Sequence, residues 1–310
     1  MKSSKKYLFI VNPVAGAGLA KEYVPTLKKI INQRNLTAEI VLTERKKHAT
    51  KIAADFVKKG FDHIFAVGGD GTFNEVVQAI IDKPGITFGT IPAGTGNDFI
   101  SILGFPGQFN DKNWEMFFAE NTVKMDVGKC NDLYFINGMG LGFDAQVAAE
   151  NHKSENEQNS KKGKSNYLWH ILKTLVSYKE IDMEVTFEGK ATKSKSFLNT
   201  ISNGRRIAGG LFLTPDAFAN DGLLDVCLIK ELRLPGRIKE LIHVMKQTHT
   251  QDEDVNYFKT DKISFDFGKE VPAHLDGELY FNSKFDIRVV PAALNIIYNP
   301  QGSHYFDLAG

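Results

Sequence analysis

The chain has 310 residues, of which 42% are hydrophobic, and its 38 basic and 37 acidic side chains leave a formal charge of +1. That length exceeds what one hydrophobic core usually organises, so two domains are expected, and the even charge balance excludes a global field that would recruit nucleic acid. Cys130 and Cys227, the only cysteines, lie far apart, which excludes a disulfide framework and suits a reducing compartment. No apolar run approaches the about eighteen residues of a membrane span, and Tyr7–Val11 is too short for a signal-peptide core. The expectation is a cytoplasmic protein with no transmembrane segment, visiting a membrane at most at its surface.

Tyr7 to Val11 reads as a buried first strand, and Asn12-Pro13-Val14-Ala15-Gly16-Ala17-Gly18 as the small-residue turn after it. A helix follows from about Leu19 to Gln33, with Tyr23, Leu27, Ile30 and Ile31 on its inner face, then a strand over Thr37–Thr43, a turn and helix over Thr43–Val57, and a third strand over Asp62–Val67. That strand runs into Gly68-Gly69-Asp70-Gly71-Thr72, where a helix opens with Phe73, Val76, Val77 and Ile80 at helical spacing and ends near Asp82. Pro84-Gly85 breaks the chain, Ile86–Ile91 gives a fourth strand, and Pro92-Ala93-Gly94-Thr95-Gly96-Asn97-Asp98 a third glycine-rich strand end. Alternation of strand and helix predicts a parallel sheet with its ligand crevice at the carboxyl ends of the strands, where Asn12, Thr43 and Gly68 fall.

The glycines around Asp70 predict a backbone free to take positive φ, with no Cβ to block a ligand, leading into a helix N-terminus that favours anions. Asp70 would repel a bare phosphate, so its presence calls for a cation or water in between, unless it only caps the helix. Thr95 and Asn97 are open to the same bland reading as caps. Convergence of three such loops on one sheet edge argues for a nucleotide.

After Asp126 the pattern changes to short strands and turns: Val127–Lys129, Leu133–Ile136, Asp182–Phe187, Lys195–Ile201, Leu211–Thr214, Leu223–Ile229, Lys262–Phe267 and Phe285–Val290. This is an antiparallel β domain. Asn151–Ser165 is strongly polar and reads as a mobile loop. Tyr167–Tyr178 has an apolar stripe of Leu168, Ile171, Leu172 and Leu175 preceded by Lys161, Lys162 and Lys164; a core helix is the favoured reading over a membrane-contact one. Arg205-Arg206 is either a phosphate or headgroup contact or a solvated turn. Asp276 and Glu278, two apart, would face the same side of an extended strand, while Gly277 between them allows a close backbone approach or a turn, and Leu294–Tyr298 reads as buried.

The set Val11-Asn12-Pro13 with Gly16, Gly68-Gly69-Asp70-Gly71-Thr72 and Pro92 to Phe99 resembles the nucleotide-binding half of the diacylglycerol kinase and sphingosine kinase superfamily, in its bacterial lipid kinase branch. Met125–Gly128, Phe135–Asn137, Gly138–Asp144, Asn220–Asp225 and Leu275-Asp276-Gly277-Glu278 agree with it in the second half. The glycine-Asp-glycine turn alone also occurs in NAD kinases and phosphofructokinases; the loop Thr95–Asp98 is similar to the lipid kinase side. The resemblance implies an α/β N-terminal domain with a parallel sheet, of the NAD kinase and diacylglycerol kinase type, plus an antiparallel β-sandwich C-terminal domain with the substrate cleft between them. The first domain would cover 1–124, joined by the returning tail 292–310, and the second 125–291.

The implied activity is ATP-dependent phosphorylation of a lipid hydroxyl, with diacylglycerol first and a sphingoid base, phosphatidylglycerol or a polyprenol as other acceptors; a catalytically silent nucleotide-binding regulator is the remaining alternative. By the same resemblance Asn12, Pro13, Gly16, Thr43, Gly68, Gly69, Asp70, Gly71, Thr72, Asn74, Thr95 and Asn97 would line ATP, a side chain at Gly69 entering phosphate space. Asp70, Asp98 and Asp126 would hold a magnesium and water network, and Phe218, Asp221 and Leu223 a structural cation. Asp276 or Glu278 would accept the hydroxyl proton. The acceptor would be met at the inner face of the membrane, and the oligomeric state, a homodimer included, stays open.

Overall fold

The computed structural model describes residues 5–81, 83–94, 96–156, 173–207 and 209–308, with backbone alone over 151–156. Two units divide the chain: Met1–Val127 with Phe218–Gly222 and Val290–Gly310, and Gly128–Ala217 with Leu223–Val289. The recruitment of Phe218–Gly222 to the first unit has no mark in the sequence. It follows from hydrogen bonds: Ala219 N–H donates to Tyr305 O at 2.8 Å, and Asn220 exchanges bonds of 2.8 and 2.7 Å with the backbone of Asp307.

In the first unit, strands β1 (Lys6–Val11), β2 (Thr37–Leu42), β3 (His63–Gly68) and β4 (Thr87–Pro92) alternate with helices α1 (Leu19–Arg34), α2 (His48–Lys58) and α3 (Asp70–Ile80). β1 lies parallel between β2 and β3, and β3 is parallel to β4. Every residue of β3 is buried, as expected of a strand covered on both faces. An aromatic layer holds that cover: Phe65 meets Phe9 at 5.2 Å and Phe117 at 5.0 Å. Phe117 comes from α4 (Asp111–Phe117), a helix the sequence reading lacks, started by a reciprocal capping box between Asn110 and Asn113. α3 begins at Asp70, three residues before the predicted start, because Gly69 is its N-cap.

The second unit receives the end of β5 (Thr122–Cys130) and then contains β6 (Leu133–Phe135), β7 (Gly138–Gly142), α5 (Phe143–Asn156), β8 (Asp182–Phe187), β9 (Lys190–Ser202), β10 (Leu224–Lys230), α6 (Leu234–Lys246), β11 (Val255–Thr260), β12 (Lys262–Leu275) and the first part of β13 (Glu278–Ile297). Its pairings are antiparallel: β6 on β5, β9 on β7, β8 and β10, β10 on β11, and β12 on β7, β8 and β13. Met139, Leu141, Ile201, Val226, Phe265, Phe285 and their neighbours form its core. The last residues of β13 belong to the first unit, where Asn295 and Ile296 pair in parallel with Thr87 and Phe88 of β4.

Several expectations change. Leu211–Thr214 is not a strand: Leu211 makes an isolated bridge to Ile207, while Leu213 O is bonded to the His249 ring and Thr214 Oγ1 to Gly204 O, which replaces a ladder. The run at Phe285–Val290 and all of Leu294–Tyr298 but its last residue join in the long β13. Asn151–Asn156 is the end of α5 rather than loop, and 157–165 lies outside the described residues, as do Lys161, Lys162, Lys164 and 167–172 of the proposed stripe. Where that segment is described, 173–177 is helical and buries Thr174 and Leu175.

Candidate functional site

The loops after β1, β3 and β4 leave one edge of the first unit's sheet, and the ladder carries on into them. Thr43 N–H donates to Val11 O at 2.8 Å, Asn12 N–H to Val67 O at 2.9 Å, and Ala93 N–H to Gly68 O at 2.7 Å. Asn12 Nδ2 donates to Thr72 Oγ1 at 3.1 Å, tying the first loop to α3, and Pro13 follows it part-buried. Gly16 has φ 58°, and a Cβ there would stand 1.9 Å from Ala93 O, so the first loop closes directly on the third. Thr72 and Asn74 are buried on the first turns of α3, Asn74 Oδ1 accepting from Gln78 at 3.0 Å.

The glycines of the central turn serve packing rather than torsion. Gly68, Gly69 and Gly71 are absent from the positive-φ positions of the backbone, contrary to expectation. A Cβ on Gly69 would come 3.2 Å from Gly94 Cα, and one on Gly94 would come 2.6 Å from Gly69 Cα. A side chain at Gly69 therefore meets the neighbouring loop. A Cβ on Gly68 would press on the Thr72 hydroxyl at 2.6 Å. Asn97, at φ 53°, closes its own loop by accepting from Gly94 N–H at 3.1 Å and donating to Gly94 O at 2.8 Å. Thr95 lies outside the described residues.

Asp70 bridges the same two loops. Its carboxylate accepts from Asp98 N–H at 3.1 Å and Phe99 N–H at 3.3 Å, capping the 3-10 turn Phe99–Ser101. Asp98 is buried beside it. Asp126 is buried elsewhere in the unit, accepting from Gly222 N–H and from Ala292 N–H, each at 2.7 Å. Burial raises its pKa, the two amide bonds lower it, and the nearby Asp221 carboxylate raises it further. Asp126 thus anchors the loop that carries Phe218 and Asp221, with Leu223 opening the second unit. Glu75, which the sequence gives no reason to single out, accepts from Lys47 N–H at 2.8 Å and Ala49 N–H at 3.2 Å and so holds the start of α2.

In the second unit, Asp276 and Gly277 are the two-residue loop joining β12 to β13, with Leu275 and Glu278 paired across it. Their φ values, 48° and 86°, are those of a type I′ hairpin, the turn that an Asp-Gly dipeptide between apolar runs favours. Of the two options Gly277 left open in the sequence, an extended strand and a turn, the turn is the one found. Asp276 and Glu278 therefore do not share a strand face. The Asp276 carboxylate accepts from the N–H groups of Ile136 at 2.8 Å, Asn137 at 2.9 Å and Gly138 at 3.0 Å, and its own N–H donates to Gly138 O at 2.9 Å. It is occupied in fixing the β6–β7 connection. Glu278 is the part-buried first residue of β13. Asn137 also accepts at its carbonyl from Asn203 and Gly204 N–H and donates from its side chain to Arg206 O. Arg205 in turn donates to Ala217 O at 2.9 Å, and Arg206 stacks on Phe212 at 5.3 Å, so neither is a freely solvated turn residue.

The loop set on this parallel sheet is of a kind that can cradle phosphates, and the class of the protein comes from comparison with known proteins. The diacylglycerol kinase catalytic domain family matches residues 6–130, and the YegS C-terminal NAD kinase beta sandwich-like domain family matches residues 138–298. A diacylglycerol kinase of Bacillus subtilis (strain 168) is 27% identical over 277 residues, covering 88% of this chain and 90% of that protein. One of Staphylococcus haemolyticus is 29% identical over 274 residues, covering 87% and 81%. The crystal structure of a diacylglycerol kinase from Bacillus anthracis str. Sterne superposes with a TM-score of 0.75 at 26% identity, over 97% of this chain and 99% of that one. The chain belongs to the diacylglycerol kinase and sphingosine kinase superfamily, in its bacterial lipid kinase branch, and is a lipid kinase. ATP use comes with that family. Among the described residues no helix is long and apolar enough to cross a membrane.

Proposed function

We propose that the enzyme transfers the γ-phosphate of ATP to the hydroxyl of diacylglycerol, giving phosphatidic acid. The observation that carries the nucleotide part is the meeting of the Asn12–Gly16, Gly68–Asn74 and Gly94–Asn97 loops at the carboxyl ends of β1, β3 and β4. Thr43, bonded to the end of β1, would extend that floor. The positive end of α3 favours the phosphates there. The acceptor is inferred from the relatives, whose names give diacylglycerol.

Glu278 is the proton acceptor in this reading. Asp276 is engaged by three amides, which leaves Glu278 as the motif's acid for the acceptor hydroxyl. The hydroxyl oxygen attacks the γ-phosphorus as its proton passes to Glu278, the bond to the bridging oxygen breaks, and ADP leaves with that electron pair.

The acidic set fits magnesium. Asp126 is buried with the Asp221 carboxylate raising its pKa, and a cation on the carbonyls of Phe218, Asp221 and Leu223 would relieve that repulsion. Asp70 and Asp98 would orient waters around a phosphate-bound ion. Magnesium held there would supply positive charge against the transferring phosphoryl group. The proposed setting is the cytoplasm, at the inner face of the membrane; two buried, unpaired cysteines are consistent with it.

The test offers labelled ATP and magnesium with mixed micelles of diacylglycerol, a sphingoid base, phosphatidylglycerol or a polyprenol. Labelled phosphatidic acid as the main product is expected. Preferential labelling of another acceptor would overturn the substrate assignment.

A further inference from the structure

α6 turns the wrong face outward. On an ordinary surface helix the apolar stripe meets the core and the outer face is polar. Here Leu234, Ile238, Ile242 and Met245 are 39%, 46%, 44% and 68% exposed. Their spacing places them within an arc of about 80°, at roughly 100° per residue. The other well-exposed residues from Arg233 to Lys246 are Arg233, Pro235, Lys239 and Lys246, and the segment's one acidic residue, Glu240, is buried. The well-exposed side chains of this segment are therefore all apolar or cationic.

The orientation is firmly held. Arg237, on the inner face, donates to Leu232 O at 2.9 Å, Leu175 O at 2.7 Å, Tyr178 O at 3.0 Å and Glu180 Oε1 at 2.6 Å, and its guanidinium lies 5.0 Å from the Phe197 ring. Val244 is buried beside it. Turning Ile238 and Ile242 inward would break all of these contacts. Through Leu175, Arg237 also brings in the helical segment 173–177, whose Val176 is 66% exposed. Lys239 is spent on Asp252 at 2.6 Å, whereas Arg233 and Lys246 have no acidic partner among the described residues.

We propose that the outer face of α6, extended by Val176, is the surface on which this kinase docks to an anionic lipid bilayer. Ile238, Ile242 and Met245 enter the headgroup–acyl boundary, while Arg233 and Lys246 meet lipid phosphates at the two ends of the helix. An apolar stripe whose well-exposed charges between Arg233 and Lys246 are all cationic matches an interface that is greasy below and negative above, which favours a bilayer over a protein partner. The inference rests on the acceptor being a membrane lipid.

Flotation of the full chain with phosphatidylcholine vesicles, with and without phosphatidylglycerol, tests it. The unaltered protein should float with the anionic vesicles. Ile242→Glu combined with Met245→Glu should reduce its partition at least about tenfold, and Arg233→Ala combined with Lys246→Ala severalfold, on anionic vesicles only. Both variants should keep the far-UV spectrum and turnover of a short-chain, water-soluble diacylglycerol. Failure of the unaltered protein to bind anionic vesicles, or retention of its partition by the apolar double variant, would overturn the proposal. So would a dimer in light scattering that the same variant dissociates without changing vesicle binding, which would make the face a self-association surface. Absence of diacylglycerol turnover with vesicle binding intact would sink the substrate reading and leave the docking face standing.

Discussion

The turn after β3 and the turn between β12 and β13 both carry an acid among glycines, and they use those residues in opposite ways. Around Gly69 and Gly94 the torsions are ordinary and the space is not: a Cβ on either would meet the other's backbone. At Gly277 the space is open, with nothing within 4 Å of a built Cβ, and the φ of 86° is what requires glycine. The acids differ less than their neighbourhoods suggest. Asp70 binds two amides of the loop after β4, and Asp276 binds two amides before β7 and the first of β7 itself. In each turn the motif aspartate holds a second loop in place, and the proposed proton acceptor at the hairpin is therefore the residue after the turn, Glu278.

That contrast predicts the largest effect for Glu278→Gln. Removing a positioned proton acceptor costs about 10²- to 10⁴-fold in kcat, while the three amide bonds to Asp276 are left in place, so ATP affinity by calorimetry and the melting temperature should stay near those of the unaltered protein. Asp276→Ala should do the reverse in kind. Three amides lose a charged acceptor, for which about 3 kcal/mol is expected, read as a fall of roughly 6–12 °C in Tm. If Asp276→Ala kept its Tm and lost transfer while Glu278→Gln stayed active, the two roles would have to be exchanged.

The same contrast explains what the sequence could disclose. The alternation of buried strands and amphipathic helices made the first unit's layout readable, because β3 and α3 obey their periods closely. The loops could be found by composition, yet the reason for each glycine could not, since Gly16 is required by Ala93 and Gly69 by Gly94, partners far along the chain. Asp276-Gly277 was legible as a hairpin dipeptide, but the amides of Ile136 to Gly138 that occupy its acid come from about 140 residues earlier. α6 escaped because Pro235-Gly236 reads as a break, although proline is favourable in a first helical turn, and because its apolar stripe marks the outer face instead of the core.

Next in size is Gly16→Ala. It adds a Cβ 1.9 Å from Ala93 O at a φ of 58°, so the first and third loops must separate; about 3 kcal/mol of stability and most of the ATP affinity should go together. Normal ATP affinity in a folded Gly16→Ala protein would break the link between loop closure and the nucleotide floor.

Acid should weaken the first unit from the opposite edge of its sheet. Burial alone would raise the pKa of Glu120, but bonds from His63, Lys5 and Tyr7 outweigh it and bring the value from 4.5 to about 2. A carboxylate depressed in the folded state contributes stability above its unfolded pKa and loses it as pH falls through the folded value, here up to about 3 kcal/mol between pH about 5 and 2. His63 is raised: burial lowers it, and the bonds to Glu120 and Asp62 more than compensate, so its contribution is complete below 6.5 and fades as pH rises through the raised value. Glu120→Gln should flatten the acid limb of a Tm-against-pH curve. Hydrogen exchange should show that limb in β1 and β3 and leave the β12–β13 hairpin unchanged.

The smallest effect belongs to Gly277→Ala. The methyl has room, so the cost is torsional alone, about 1 kcal/mol for a non-glycine residue held at positive φ. Replacement by Asn, which tolerates that region better, should recover part of the loss, since the site lacks crowding. At Gly94 the same alanine–asparagine pair should give no recovery, because any Cβ meets Gly69 Cα at 2.6 Å whatever its torsional preference. Measured by thermal denaturation, a rescue by Asn at 277 and none at 94 separates the turn shaped by torsion from the one shaped by contact. Equal recovery at both would mean that the two loops of the first unit are less tightly apposed than the nucleotide floor requires.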